Sequence, residues 1–359
     1  MLGVWLLAGL VVLSLLLRWP RRVLLAAMGC LWAVFVLLLT LLPDSAAARA
    51  IGGTAAHWLV AGGIVALILA YRALLARLRA RARRRDPAPE TGQPGDGAMS
   101  DAELDRYARH LVLREIGGAG QMRLRGAKVL VVGAGGLGAP VCLYLAAAGV
   151  GRITLADDDT VSLSNLQRQV IFRTRQCGQP KVAAAAQGMA DLNPHVAVTA
   201  LSRRITAADA DLVGGHDLVI DGTDSFAVRE AVNRACVAAG VPLISGAIGQ
   251  WEGQVTLYDP ARGGPCLTCL FPAAPAPGLA PPCAEAGVVG ALPGVIGSLM
   301  ALEAIKHLTG AGQGMRGRML IFDGLYGETR MVRIAARAEC PVCGPRKADG
   351  RDAVSHPSP

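Results

Sequence analysis

The sequence predicts an α/β protein: a doubly wound, mostly parallel sheet with helices on both faces, preceded by about three membrane-spanning helices. Three observations carry this. Short apolar runs that read as strands alternate with helical stretches from residue 128 to residue 323. A glycine turn, Gly133-Ala134-Gly135-Gly136-Leu137-Gly138, joins the apolar run 129–132 to the helical pattern 139–148. The front of the chain holds three apolar runs separated by arginines.

The apolar runs are residues 2–17, 23–42 and 51–71. The second is about long enough to cross a ~30 Å hydrocarbon core. A signal peptide would account for the first run, but no positive charge precedes it and two more runs follow. Arg18, Arg21 and Arg22 form one basic loop; Arg72, Arg77, Arg79, Arg81, Arg83, Arg84 and Arg85 form a second cluster. The loop between them carries only Asp44 and Arg49. Basic loops stay cytoplasmic, and two crossings would put both clusters on that side. The expectation is a multi-pass protein of the inner (cytoplasmic) membrane, N-terminus outside, with everything after Arg72 in the cytoplasm. Eleven arginines and four acids precede Met99, so +7 of the net +9 lies in this flank. It reads as a topology anchor touching anionic lipid; a nucleic-acid arm is the alternative. The rest is near neutral, which points away from a nucleic-acid partner.

Residues 1–75 therefore read as the transmembrane segment, 76–98 as a basic and then Pro/Gly-rich linker, 99–345 as the main domain and 346–359 as a disordered tail. Ser100 and Glu103 have capping-box spacing at the start of the domain. Strand candidates are 128–132, 152–155, 197–201, 218–221, 243–245, 253–258 and 319–323. Helical stretches 140–148, 181–191, 226–239 and 294–309 lie between them. The later strands sit closer together, so the sheet is expected to turn antiparallel there. Residues 272–282 form a Pro/Ala loop that reads as a mobile lid.

The turn at Gly133, Gly135, Gly136 and Gly138 has a Rossmann-like context, strand then helix, in which free backbone N–H groups and the helix dipole bind phosphate. By itself it suits NAD as well as ATP. Asp157 ends the second strand at the spacing of a ribose-binding acid; a solvated acidic turn is the plainer reading.

Further motifs follow: R-Y-x-R at 106–109, D-T-V-S-L-S-N-L-Q-R-Q at 159–169, G-Q-P-K at 178–181, D-x-T-D at 221–224, E-G-Q at 252–254, two C-x-x-C pairs, and C-x-E-A-G-V at 283–288. With these, residues 99–344 resemble the ThiF/MoeB/HesA family of ubiquitin-activating-enzyme-like adenylyltransferases, its MoeB branch above all. The resemblance implies ATP-dependent adenylation of the C-terminal glycine carboxylate of a ubiquitin-like sulfur-carrier protein ending in Gly-Gly. Pyrophosphate is released, and the carrier is of the molybdopterin-synthase small-subunit or thiazole-pathway type. It also implies a homodimer, with Mg²⁺ and Zn²⁺ as metals. Arg168 and Lys181 would hold phosphates, Ser164 and Asn165 line the nucleotide, and Asp157 take the ribose. Asp224 would bind Mg²⁺, and Arg109 would reach into the partner subunit's site. Ser225 stands beside Asp224 where the family has Asn or Asp, and His110 where it has Gln. The plainer readings are surface charges for Arg168 and Lys181, and a helix N-cap for Asp224.

This chemistry needs cations rather than a base. The attacking carboxylate is already an anion, so the barrier is its repulsion from a triphosphate. Arg, Lys and a metal-binding acid meet that need without a Ser-His-Asp set. A membrane-anchored NAD-dependent oxidoreductase is a second reading, but it leaves Arg168, Lys181 and Asp224 unexplained. A non-catalytic membrane scaffold retaining the fold is a third. A relative acting on a tRNA base is disfavoured by the near-neutral charge and the cysteine pairs.

Of nine cysteines, Cys30 lies in a membrane run, Cys142 and Cys236 in helical patterns, and Cys177 near the G-Q-P-K turn. Cys266, Cys269, Cys340 and Cys343 have the spacing of a four-thiolate structural zinc site. Disulfides are disfavoured in a cytoplasmic domain. In the family, the cysteine matching Cys283 can carry a thioester or mixed sulfur species; a sulfur-transfer role and a passive one both stay open. No rhodanese-like segment follows, so the sulfur donor is expected to be a separate protein.

Overall fold

The computed structural model describes residues 2–16, 21–83, 97–274 and 287–344, and the chain divides into two units, residues 1–90 and 91–359. Arg18, Arg84, Arg85 and Cys283, most of the linker and of the Pro/Ala loop, and the C-terminal tail fall outside the described residues.

The first unit is helical: α1 (Leu2–Leu16), α2 (Arg21–Leu41), α3 (Ala46–Ile51) and α4 (Ala55–Arg83). Ser45 starts α3 by accepting the Ala48 N–H. Phe35, Leu39, Ala48 and Ile51 form a small core. Phe35 meets Trp58 edge to face, with ring centroids 5.3 Å apart. Both indoles have partners: Trp32 Nε1 donates to the Trp58 carbonyl at 2.8 Å and Trp58 Nε1 to the Gly52 carbonyl at 2.9 Å. Gly62 lets α2 and α4 approach, since any Cβ there would overlap the Trp32 ring. On α4, Leu59, Val60, Ile64, Leu67 and Ile68 are half-exposed or more. Among the described residues only α4, over Ala55–Arg72, is long and apolar enough to cross a membrane. This is fewer than the three spans expected. Arg21 and Arg22 occupy the first turn of α2, leaving Ala26–Leu41 as its apolar length, and α1 has 15 residues.

The second unit opens with α5 (Asp101–Arg106), α6 (Ala108–Leu111) and α7 (Gly117–Gly126). The capping box forms as expected: the Glu103 N–H donates to Ser100 Oγ, and the Ser100 N–H to Glu103 Oε2 at 2.9 Å. The strands are β1 (Lys128–Val132), β2 (Arg152–Ala156), β3 (Ala197–Leu201), β4 (Leu218–Asp221), β5 (Leu243–Ile248), β6 (Glu252–Tyr258), β7 (Arg318–Asp323) and β8 (Glu328–Arg333). They form one sheet in the order β3-β2-β1-β4-β5-β6-β7-β8. The first five are parallel and the last three antiparallel. The switch has a plain cause. Helices α8 (Gly138–Ala148), α9 (Lys181–Leu192) and α11 (Phe226–Ala239) supply the crossovers that parallel strands need, whereas only a tight turn joins β5 to β6.

Alternate residues of β1 face opposite cores, which makes the sheet doubly wound. Val129 and Val131 join Val141 of α8, Val182 of α9 and Ile296 of α13 (Leu292–Thr309). Leu130 and Val132 join Val213 of α10 (Ala210–Gly214) and Val232 and Ala235 of α11. Every strand candidate is present, and the antiparallel turn is where it was expected. The eighth strand was not expected. All six residues of β8 are exposed at the sheet's edge, so they carry no inside–outside alternation to read.

Candidate active site

β1 lies between β2 and β4, so the strand order reverses there and opens a crevice at the carboxyl ends of the strands. The glycine turn fills its floor. Gly133 adopts φ 91°, and a Cβ there would stand 3.2 Å from the Gly222 carbonyl. A Cβ on Gly138 would overlap the Gly133 carbonyl oxygen, so strand and helix meet with no room between them. Helix α8 starts without a side-chain cap, so its positive dipole end faces the crevice, although the Ala139 N–H already donates to the Gly135 carbonyl at 2.9 Å and Pro140 has no N–H.

The crevice encloses about 890 Å³ and is lined by Gly133, Gly135, Gly136, Asp157, Asn165, Arg168, Lys181, Asp224 and Ser225. Nine of the residues singled out from the sequence thus converge, drawn from five separate segments. Gly138 and Ser164 are not in the lining, though Ser164 lends its carbonyl to Arg168 Nη1 at 3.4 Å. Arg109 is exposed on α6, away from the crevice lining.

Each charged group has a defined setting. Asp157 Oδ2 accepts the Ala134 N–H at 2.7 Å and Oδ1 the Asp159 N–H at 2.8 Å. Each oxygen keeps a lone pair for a ligand hydroxyl. Lys181 is buried, 4% exposed, and its Nζ pairs with Asp159 Oδ2 at 2.7 Å. A buried ammonium requires such a counter-charge. Arg168 Nη2 donates to Asn165 Oδ1 at 3.2 Å, which aims the guanidinium along the crevice wall. Asp224 projects from a turn held by Asp221. The fully buried Asp221 carboxylate accepts the Thr223 N–H at 3.0 Å, the Thr223 hydroxyl at 2.7 Å and the Ser245 hydroxyl at 3.1 Å. Ser225, not Asp224, occupies the N-cap position of α11, and it makes no side-chain cap. The N-cap reading of Asp224 is thereby excluded.

Sequence reasoning passed over several lining residues, among them Asp158, Gln169, Arg203, Arg204 and Arg229. Arg204 Nε pairs with Asp158 Oδ2 at 2.8 Å on the rim. The Arg-Arg pair directly after β3 was a legible signal, since strand ends in this topology face the crevice. A second cavity of about 700 Å³, lined by Arg123, His216, Asp259 and His307 among others, contains none of the residues singled out from the sequence.

The four paired cysteines converge elsewhere. Their sulfurs lie within 4.8 Å of one another, and all four residues are buried. Separations are 3.6 Å for Cys266–Cys340, 3.4 Å for Cys269–Cys343 and 3.9 Å for Cys266–Cys269. Zn–S bonds of about 2.3 Å in a tetrahedron place sulfurs about 3.8 Å apart, so the cluster fits a zinc ion. Disulfides would need sulfurs at about 2 Å. The Arg337 N–H donates to Cys269 Sγ at 3.4 Å, as suits a thiolate. Elsewhere burial pushes the Cys142 thiol up to about 12, which matches an inert packing residue.

Comparison with known proteins agrees with this geometry. The sequence pattern described as the ThiF family matches residues 107–342. Over 247 residues the chain is 47% identical to the sulfur carrier protein adenylyltransferase of Thermus thermophilus, covering 67% of this chain and 91% of that one. It is 45% identical over 247 residues to the molybdopterin-synthase adenylyltransferase of Escherichia coli, covering 68% and 98%. Among solved structures, Escherichia coli MccB with ATP superposes with a TM-score of 0.58 at 24% identity, covering 67% of this chain and 74% of that one. That last likeness is one of fold. With the pattern spanning well over half its length and relatives this similar over nearly all of theirs, the chain belongs to the ThiF family.

Proposed function

We propose that this chain uses ATP to adenylate the C-terminal carboxylate of a ubiquitin-like sulfur-carrier protein, the substrate class named for its relatives. One observation carries the reading: Arg168, Lys181 and Asp224 line a single crevice beside an uncapped helix N-terminus. A carrier carboxylate oxygen attacks the α-phosphorus of ATP. The bond from that phosphorus to the bridging oxygen breaks, and pyrophosphate leaves with the electron pair. No proton moves, so no base is needed. Arg168 and Lys181 offset the repulsion between the two anions and the charge on the leaving group. Asp157 accepts a ribose hydroxyl. Asp224, a hard oxygen donor in the crevice, would hold Mg²⁺, which supplies further charge neutralisation. The exposed Arg109 serves the crevice of a second subunit in a homodimer. A sulfur nucleophile on a separate donor protein then attacks the acyl carbon of the adenylate, the bond from that carbon to the phosphate oxygen breaks and AMP leaves; zinc in the cysteine cluster has a structural role.

The test is ATP–pyrophosphate exchange by the full-length chain in detergent, with and without carriers ending in Gly-Gly. Exchange is expected only when such a carrier is present. An absence of ATP binding together with tight NAD binding would overturn the reading.

We also propose that α4 crosses the inner membrane, with residues before it outside and the second unit in the cytoplasm. The exposed apolar side chains of α4 and the arginines that follow them support this. Reporter fusions at residue 47 and after residue 90 should be active outside and inside, respectively. A cytoplasmic reporter that works at residue 47 would refute the topology.

A further inference from the structure

The strand ends opposite the crevice carry a row of cations. Lys128 opens β1 in register with Arg152, which opens β2. Further along the sheet Arg318, which opens β7, stands directly opposite Arg333, which closes β8. Like charges paired in this way repel. Lys128, Arg152 and Arg333 are exposed and make no side-chain hydrogen bond or ion pair among the described residues. The carboxylates at these strand ends do not cancel the row. Asp259 is buried and already shared by Arg316 at 2.8 Å and Arg262 at 3.5 Å. Asp217 accepts the Lys128 N–H at 2.8 Å. The carboxyl ends of α7 and α13 also lie here, and Arg123 offsets their dipoles by donating to the Thr309 carbonyl. Between the two basic pairs, the cavity of about 700 Å³ has Arg262 in its wall.

The chain enters the second unit at this same end. The Gly97 carbonyl accepts an N–H of Arg125, three residues before β1, at 2.6 Å. Thirteen residues separate Gly97 from Arg83, the end of α4. Resting on the reading that α4 crosses the membrane, we propose that this basic end of the second unit docks on anionic lipid headgroups. Exposed guanidinium groups pair with lipid phosphates, and Lys128 adds a further charge. The tether keeps the effective concentration of lipid high, so a modest attraction suffices. The crevice, at the opposite ends of the strands, then stays open to a carrier arriving from water.

The test places the full-length chain in nanodiscs of phosphatidylcholine, alone or mixed with phosphatidylglycerol. Phenylglyoxal modifies accessible arginines, and mass spectrometry of peptides reads each site. Labelling of Arg152, Arg262 and Arg333 should slow roughly threefold or more in the anionic discs. Arg204, on the crevice rim, should label equally in both. High salt should abolish the protection, because the contact is electrostatic and solvent-exposed. Arg152→Glu combined with Arg333→Glu should restore labelling of Arg262 and leave ATP affinity unchanged. If that double variant does not fold, the salt dependence of the parent decides. Equal labelling in the two lipids, or protection that survives high salt, would overturn the inference. So would protection by added double-stranded RNA with none from anionic lipid, which would make the face a nucleic-acid surface. A chain that does not enter the discs at all would instead remove the reading of α4, and this inference with it.

Discussion

Lys181→Ala is expected to reduce ATP–pyrophosphate exchange by roughly a hundredfold or more, with the fold intact. Lys181 brings a full positive charge into a crevice where water cannot replace it, because the residue is 4% exposed. The variant leaves Asp159 behind, but that carboxylate is 61% exposed and solvent can take it up. No buried charge is thus left unpaired, so the fold is expected to persist and the loss of exchange to be read apart from it. Asp224→Ala should match the loss of exchange for a different reason: it removes an oxygen donor from an exposed turn that Asp221 holds in place without it. The two variants together are informative. Melting temperatures near the parent's with near-parental exchange in both would show that neither group acts on the phosphates.

The second large effect concerns the cysteine cluster. Metal analysis of the full-length chain should find about one zinc per chain, and stripping it should destabilise the second unit severely. Structural zinc sites contribute folding free energy outright, about 10 kcal/mol or more in small peptides at neutral pH. Here the cluster joins α12 (Leu267–Leu270) to the chain's far end at Cys340 and Cys343, and packs against Val237 of α11. Without metal, four thiolates within 4.8 Å of one another would repel or take up protons in a buried site. Cys266→Ala with Cys340→Ala should lower the melting temperature by more than about 10 °C and open residues 334–344 to protease. Because α11 begins directly after Asp224 and Ser225, exchange activity should fall with it. A zinc-free chain with parental melting would exclude a structural metal.

Much of this was legible beforehand, for local reasons. The buried strands β1 and β4 are continuous apolar runs, and the glycine turn is required by a positive φ at Gly133 and by the contact at Gly138. Asp157 was readable because it ends a strand at a set distance from that turn. Other features were not. The exposed edge strand β8 leaves no pattern. The length of α2 includes two arginines that shorten its apolar span. Asp221 sits in a motif that reads as one unit, and only its buried network separates the residue that holds the turn from the residue that faces the crevice. Cys283 falls outside the described residues.

Chain order alone thus determined which segments become strands, which glycines bend tightly and which cysteines come in pairs, because these depend on neighbours a few residues apart. Tertiary structure alone decided that Lys181 meets Asp159, that Gln169 is buried with one end unmet, and that four sulfurs gather at zinc spacing. Such encounters depend on β1 lying between β2 and β4, an arrangement set by how distant segments share one apolar core.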